Sequence, residues 1–194
     1  FKNGHSMIWN DHRKPETMPF WGMIEDVRKQ VGDEKAKWMA RSRNITIFPN
    51  LQFNDSTSLV LRTFIPHAPN LTEMKVYSFA PIDEPDDLRT IRVRQHEDFF
   101  NSSGMATPDD TICYSDCQEG YNAFPDDYLQ SFERGMGNLI FGPDEEAKKL
   151  GFVPETSLLG TFLDQGETSY HGPYREWARL MRVGHNKDQP LAAE

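Results

Sequence analysis

Residues 44–79, NITIFPNLQFNDSTSLVLRTFIPHAPNLTEMKVYSF, decide the fold class of this chain. Runs rich in β-branched and aromatic residues occur at 44–50, 59–65 and 73–79, and prolines or turn residues close them. Such runs predict β-strands, because branched and aromatic side chains suit the pleated backbone and proline ends its hydrogen-bond ladder. This segment therefore predicts a sheet built from neighbouring strands.

The pattern on both sides of this stretch is mainly helical. A further strand is predicted at 5–10, and apolar residues at helical spacing predict helices at 21–41, 86–100, 107–120 and 174–183. Residues 136–166, rich in glycine, proline and acids, are predicted as a long loop with one helical turn at 145–150. Because strands and helices do not alternate as β-α-β units, the sequence predicts an α+β domain with an antiparallel sheet.

Length and charge narrow the class of protein. The 194 residues suit one domain or a piece of a longer chain, and a net charge of −9 argues against nucleic acid or an anionic membrane as the main partner. Apolar runs such as 59–61 are far shorter than the ~18 residues that a membrane span needs. The chain opens on Phe1 without a leader. We therefore expect either a removed leader or a start inside a longer protein.

The cysteines and the N-glycosylation triplets bear on whether the protein is secreted or lies in a reducing compartment. Cys113 and Cys117 are four residues apart, and we predict a buried structural thiol pair rather than a disulfide scaffold or a zinc site. Asn-x-Ser/Thr triplets, which would suit a secreted glycoprotein, begin at Asn44, Asn54, Asn70 and Asn101. Because no leader or cysteine framework supports secretion, we predict a reducing, cytoplasmic setting.

The segment GMATPDD at 104–110 is the strongest candidate for a functional site. In one hypothesis Thr107 caps a helix, Pro108 occupies its first position and Asp110 completes a capping box, and sequence physics alone favours this hypothesis. In the other hypothesis Asp110 is a metal ligand, because non-haem iron(II) takes one carboxylate and two neutral imidazoles. The six histidines have no recognised ligand spacing, so by themselves they predict no enzyme.

Three ordered segments resemble one protein family. They are RSRNITIFPNLQ (41–52), EDFFNSSGMATPDDTICYSDCQEGY (97–121) and GETSYHGPYREWARLM (166–181). The first resembles a strand motif, the second the carboxylate-ligand segment and the third the C-terminal helix of the large (α) subunit of Rieske-type aromatic-ring-hydroxylating dioxygenases. The resemblance implies a helix-grip-like catalytic domain, in which helices and an antiparallel sheet surround a substrate cavity.

The resemblance also assigns roles to particular residues. Asp110 matches the carboxylate ligand of the catalytic iron, and Asp109 matches its non-ligating neighbour. Asn44 matches a polar residue of the substrate cavity, and Phe100 matches an aromatic side chain that steers the substrate ring. Ala106 stands where some members carry a bulky aromatic residue, so its small side chain is expected to leave more room.

Two expected parts of the family pattern do not occur in this sequence. The D-x-x-H-x(4,5)-H helix that supplies both histidine ligands is absent, and so are the Cys-x-His and Cys-x-x-His pairs that hold the Rieske cluster. We therefore interpret 1–184 as the C-terminal portion of the catalytic domain, incomplete at its N-terminus, and 185–194 as a polar tail. The Rieske domain would lie elsewhere, and these residues alone are expected to be inactive.

The implied activity is that of a terminal oxygenase component, which adds dioxygen-derived hydroxyls to an aromatic ring at mononuclear non-haem Fe(II). The implied cofactors are that iron and a [2Fe–2S] Rieske cluster, with electrons from NAD(P)H through a reductase. The implied partners are an aromatic substrate, O2, a ferredoxin or reductase, and further subunits in an alpha3 or alpha3beta3 assembly. The alternative is a non-enzymatic module that binds apolar ligands, with Asp110 as a helix cap.

Three arginines next to the predicted strands raise a weaker hypothesis about the substrate. Arg41, Arg43 and Arg62 would suit a carboxylate partner. Arginines that flank strands more often face solvent or pair with acidic residues, so we expect one of those two outcomes.

Overall fold

The computed structural model describes residues 1–123, 132–160 and 166–185. The chain divides into two compact units, one of Phe1–Met7, Ile47–Pro49 and Ser131–Glu194, the other of Ile8–Thr46 and Asn50–Gln130. Within the described residues no helix is both long and apolar enough to cross a membrane. Apart from His185, the predicted polar tail lies outside the described residues.

A five-stranded sheet confirms the α+β prediction. Its strands, in spatial order, are β1 (Ser6–Asn10), β2 (Ser42–Ile47), β3 (Leu51–Asp55), β4 (Leu59–Ala68) and β5 (Leu71–Ser78). Strand β4 pairs antiparallel with β3 and with β5, and this register places Arg62 between Gln52 and Val76. Because side chains alternate between the two faces, Val60 and Arg62 lie on one face with Asn54 and Gln52.

Strand β3 was missed by the sequence analysis, which assigned no strand to 51–55. Leu51 and Phe53 do alternate with Gln52 and Asn54, but the run is short and ends in Asn54 and Asp55, residue types that are depleted in strands and common in turns. In the structure the side-chain amide of Asn54 donates to Asn44 Oδ1, and Asp55 forms an ion pair with Arg43. Partners on β2 thus satisfy these polar groups, which allows them to lie inside the sheet.

Six α-helices are described, and their bounds differ from the predictions in places. They are α1 (Ile24–Val31), α2 (Asp33–Met39), α3 (Asp86–Phe99), α4 (Thr107–Ala123), α5 (Glu145–Leu150) and α6 (Thr168–His185). The predicted single helix at 21–41 is wrong, because Pro19–Met23 form a 3₁₀ helix and Gly32, at φ 85°, separates α1 from α2. The last helix begins at Thr168, earlier than predicted, and contains Pro173 within it.

The predicted loop at 136–166 contains a short hairpin. Strands β6 (Leu139–Phe141) and β7 (Thr156–Leu158) pair antiparallel, with α5 between them. Three-residue strands are too short to show a periodicity, so the sequence analysis missed them. Helix α5 was predicted correctly, and Asp144 caps it by accepting a hydrogen bond of 2.8 Å from the Ala147 amide.

Burial on α3 and α4 does not follow side-chain polarity. On α3, Leu88 and Phe99 are half-buried and Ile91 is 44% exposed, whereas the buried residue of this helix is Arg92. Arg92 is buried because its guanidinium is paired with Glu84. Cys113 and Cys117 are both free and exposed on α4. They are therefore not a buried thiol pair.

Candidate functional site

Asp110 lies in the first turn of α4 and keeps 45% of its side chain exposed. Its Oδ2 atom is 3.9 Å from Nη1 of Arg62, and its main-chain amide donates to the Ala106 carbonyl at 3.2 Å. The neighbouring Asp109 is exposed. A single carboxylate therefore points toward a cation of the sheet from the start of this helix.

The predicted capping role of Thr107 is wrong. Thr107 is a helical residue, it is 4% exposed, and its hydroxyl donates to the Phe100 carbonyl at 2.9 Å. Because the Asp110 amide bonds to Ala106, both groups that a capping box would join are engaged with other partners. The hydroxyl instead connects α4 to the segment that follows α3.

A tight turn brings Phe100, Ala106 and Asp110 together. The amides of Gly104 and Ala106 donate to the carbonyls of Asn101 and Phe99, at 2.8 and 3.0 Å. A Cβ atom on Gly104 would lie 2.6 Å from the Phe99 carbonyl oxygen, so the turn requires glycine there. The short path from α3 to α4 thereby places Phe100 close to the start of α4.

Phe100 is part of the core of its unit. It is 5% exposed and stacks edge-on against Phe99, with ring centroids 4.8 Å apart. The guanidinium carbon of Arg62 lies 4.9 Å from the centre of the Phe100 ring. Ala106 is half-buried. The structure therefore brings Phe100 and Asp110, two of the predicted site residues, into contact with the same arginine.

Arg62 is a residue of this site whose burial the sequence pattern does not predict. It is 5% exposed, and its Nη1 donates to Gln52 Oε1 at 3.4 Å. Among the described residues its Nε and Nη2 atoms have no hydrogen-bond partner. The signal in the sequence was an arginine inside the apolar run LVLRTF. The expectation that the three arginines face solvent or pair with acids is correct for Arg41, which binds Asp11, and for Arg43.

His96 on α3 also lies near Arg62. Burial lowers the pKa of His96, Arg62 lowers that pKa further, and Glu97 opposes the shift. The neutral imidazole is therefore favoured next to the buried cation.

Asn44 belongs to a polar chain within the sheet. Its Oδ1 accepts from Asn54, whose own Oδ1 accepts from the hydroxyl of Ser56 at 2.7 Å and from its amide at 3.1 Å. Asn54 is 6% exposed. The buried and hydrogen-bonded amide of Asn54 is unsuited to carry a glycan, whereas the sequon asparagines Asn70 and Asn101 are exposed.

The described residues do not by themselves complete an iron site. No group of three His, Cys, Asp or Glu side chains within the described part of the chain is placed to hold a metal ion. His5 and His12 contact main-chain groups, the Phe48 amide and the Ser56 carbonyl, each at 3.1 Å. Asp110 therefore offers one ligand, and within the described part of the chain it belongs to no group of three such side chains.

Comparison with known proteins identifies the family. Residues 1–182 match the family described as ring hydroxylating alpha subunit (catalytic domain). The 2-halobenzoate 1,2-dioxygenase large subunit of Burkholderia cepacia is 36% identical over 185 residues, covering 95% of this chain and 39% of its own. The toluate 1,2-dioxygenase subunit alpha of Pseudomonas putida is 35% identical over 195 residues, and this match covers 100% of this chain and 42% of the relative. The chain thus spans about two fifths of the length of these relatives.

Solved structures agree with this assignment. Naphthalene 1,2-dioxygenase with indole bound in the active site has a TM-score of 0.65 at 25% identity, over 91% of this chain and 39% of its own. The naphthalene 1,2-dioxygenase of Rhodococcus sp. has a TM-score of 0.66 at 19% identity, over 87% of this chain and 39% of that one. At this identity the likeness supports the fold alone. The chain belongs to the ring-hydroxylating dioxygenase alpha-subunit family, and residues 1–182 match the model of that family's catalytic domain.

Proposed function

We propose that these residues form part of the terminal oxygenase component, the α subunit, of an aromatic-ring-hydroxylating dioxygenase. The complete protein adds dioxygen-derived hydroxyls to an aromatic ring. The observation that carries this proposal is the match of residues 1–182 to the family's catalytic domain. The placement of Asp110 at a helix start beside Arg62 and Phe100 supports it further.

Within this proposal Asp110 supplies the carboxylate ligand of the mononuclear Fe(II), and two further ligands come from other parts of the protein. The other proposed cofactor is a Rieske [2Fe–2S] cluster, with electrons from NAD(P)H through a ferredoxin or reductase. Residues 1–184 are the C-terminal portion of the catalytic domain, and 185–194 are a polar tail. We expect no oxygenase activity from these residues alone, because one carboxylate is a poor iron site.

The chain's own residues shape and order the site. Phe100 supplies a rigid aromatic wall, since it is fixed by Phe99 and by the carbonyl contact with Thr107. Ala106 leaves space one turn before Asp110, and Asn44 supplies a polar group from the sheet. The proposed setting is a cytoplasmic alpha3 or alpha3beta3 assembly that takes an aromatic substrate and O2.

Relatives suggest which aromatic compounds to test first. Those that are 33–36% identical are named for halobenzoate, toluate and anthranilate, whereas those named for naphthalene are 28% identical. Ring-substituted benzoates are therefore the first substrates to try with the complete protein, and naphthalene is the second.

Removal of the Asp110 carboxylate tests the proposal. In the complete natural subunit carrying these residues, Asp110→Ala should lose most of the mononuclear iron and all ring hydroxylation, while the visible absorbance of the Rieske cluster remains. Asp109→Ala is the matched control, because this neighbouring acid is exposed, and it should retain iron. Unchanged iron content in Asp110→Ala would refute the ligand role of this carboxylate.

A further inference from the structure

Two of the three guanidinium nitrogens of Arg62 define a specific recognition surface. Nε and Nη2 are buried and have no hydrogen-bond partner among the described residues. These two atoms lie on the same side of the guanidinium, here called the Nε–Nη2 edge, and their parallel N–H groups match the spacing of a carboxylate. A buried cation with two unpaired donors is unfavourable for folding, so its presence points to a role in binding.

The same edge holds a carboxylate elsewhere in this molecule. In Arg92, Nε donates to Glu84 Oε1 and Oε2 at 2.9 and 3.0 Å, and Nη2 donates to Oε1 at 2.5 Å. In Arg179, Nε and Nη2 donate to the two oxygens of Glu176 at 2.9 and 2.6 Å. The unpartnered edge of Arg62 thus has the same donors that bind a carboxylate in Arg92 and in Arg179.

The surroundings of the Arg62 edge select a flat acid. The third nitrogen, Nη1, is already engaged with Gln52 and lies near Asp110, so the Nε–Nη2 edge is what remains for a ligand. The Phe100 ring centre lies 4.9 Å from the guanidinium carbon, so an aromatic ring attached to the bound carboxylate would find an aromatic side chain nearby. The cation also offsets the repulsion between an acidic ligand and Asp110.

We propose that Arg62 binds the carboxylate of an aromatic acid substrate through its Nε–Nη2 edge, with the substrate ring beside Phe100. This inference rests on the proposed function, because the bound ring is the one to be hydroxylated. Since the edge is buried, a side chain must move to admit the acid. Two contacts of Arg62 do not belong to the sheet: Phe100, which follows α3, and Asp110, in the first turn of α4.

Calorimetric titration with two probes tests the inference on the complete natural subunit, without reductant or O2. Benzoate should bind, and benzamide, which has the same shape without the charge, should bind about thirtyfold more weakly or worse. Arg62→Gln should weaken the binding of benzoate by a similar factor and leave the affinity for benzamide unchanged. Arg62→Lys should be intermediate, because it keeps the charge and loses the paired donors. Arg179→Gln is the control and should not change either affinity.

Equal affinities for benzoate and benzamide in the unchanged protein would overturn the inference, and this comparison needs no variant to fold. Benzoate binding that is insensitive to Arg62→Gln would also overturn it. If neutral rings such as naphthalene are hydroxylated while benzoate does not bind, the inference fails and the proposed function stands. The proposed function has its own test in the iron content of Asp110→Ala.

Discussion

Arg92 and Arg62 are both buried, at 3% and 5% exposure, and they are paired in opposite ways. The Nε–Nη2 edge of Arg92 holds the Glu84 carboxylate, whose side chain is fully buried. The same edge of Arg62 has no partner among the described residues, and Asp110, its nearest acid, is 3.9 Å away and half-exposed. The Nε and Nη2 donors of Arg92 are therefore both paired with a carboxylate, whereas those of Arg62 are both unpaired among the described residues.

This difference separates a structural charge from a functional one. The Glu84 pair fastens α3 to the segment that precedes it, eight residues earlier in the chain. Arg62 lies instead beside Phe100 and Asp110, which the family resemblance assigns to the site. Incompletely satisfied buried groups concentrate at functional sites, because selection there favours binding over stability. The contrast predicts that the two arginines respond differently to the same substitution.

Arg92→Met should have the largest effect. It leaves the buried Glu84 carboxylate without its cation, and breaking a buried pair in this way costs about 3–5 kcal/mol of unfolding free energy. Urea denaturation of the purified chain measures this loss. Arg179→Met is the control, since it breaks the exposed pair with Glu176 and should cost about 1 kcal/mol or less. Equal losses in the two variants would refute a structural role for the buried pair.

Thr107→Val should have the next largest effect. The valine keeps the shape of the side chain but leaves the Phe100 carbonyl without its hydroxyl donor, which costs about 1–3 kcal/mol when the acceptor is buried. Thr111 is a suitable control, because its hydroxyl bonds to the Pro108 carbonyl at an exposed position. If Thr111→Val is as destabilising as Thr107→Val under the same denaturant titration, the hydrogen bond from Thr107 to the Phe100 carbonyl contributes no more to stability than an exposed one.

Sequence patterns predicted most of the sheet, and their failures are physical. The strands at 44–50, 59–65 and 73–79 appear as β2, β4 and β5, because their apolar residues are regularly placed. Strand β3 was not predicted because it is short and ends in Asn54 and Asp55, and the Asn44 that satisfies the Asn54 amide lies on another strand. The break at Gly32 was missed because apolar residues continue at helical spacing on both sides of it.

The sequence predicted the site residues that are close together in the chain, but not the one that comes from a distant strand. The family motifs singled out Asp110, Phe100 and Ala106, which the tight turn between α3 and α4 keeps close together. Arg62 reaches them from strand β4, and that contact depends on how α3 and α4 pack on this strand. No local pattern encodes such packing. An arginine within an apolar run was the one available sign.

Arg62→Met should change stability by only about 1 kcal/mol in either direction. Methionine retains most of the apolar stem and removes a buried cation that is incompletely paired, while Asp110 stays hydrated because it is half-exposed. The cation–π contact with Phe100 is lost, which offsets part of the gain. A loss as large as that of Arg92→Met, measured in the same urea series, would show that Arg62 is a structural charge as well.

The smallest expected effect is a change in the pH dependence of stability that originates at His96. Because burial and Arg62 lower the pKa of this histidine, the unfolded chain binds its proton more readily than the folded chain does. Stability should therefore decrease as the pH falls below the unfolded value of about 6.5, and level off below the folded pKa. Thermal unfolding between neutral and mildly acidic pH measures the slope.

Arg62→Met removes one of the two causes of that shift, so the pKa of His96 should rise toward its ordinary value and the slope should become shallower. NMR titration of the imidazole follows this pKa directly. Arg92→Met is unsuitable as a control because it destabilises the fold, whereas Arg179→Met, which removes an exposed cation that is paired with Glu176, should leave the His96 titration unchanged. If the pKa of His96 does not rise in Arg62→Met, burial alone depresses it. The Arg62 charge is then screened by Asp110 more completely than a separation of 3.9 Å implies.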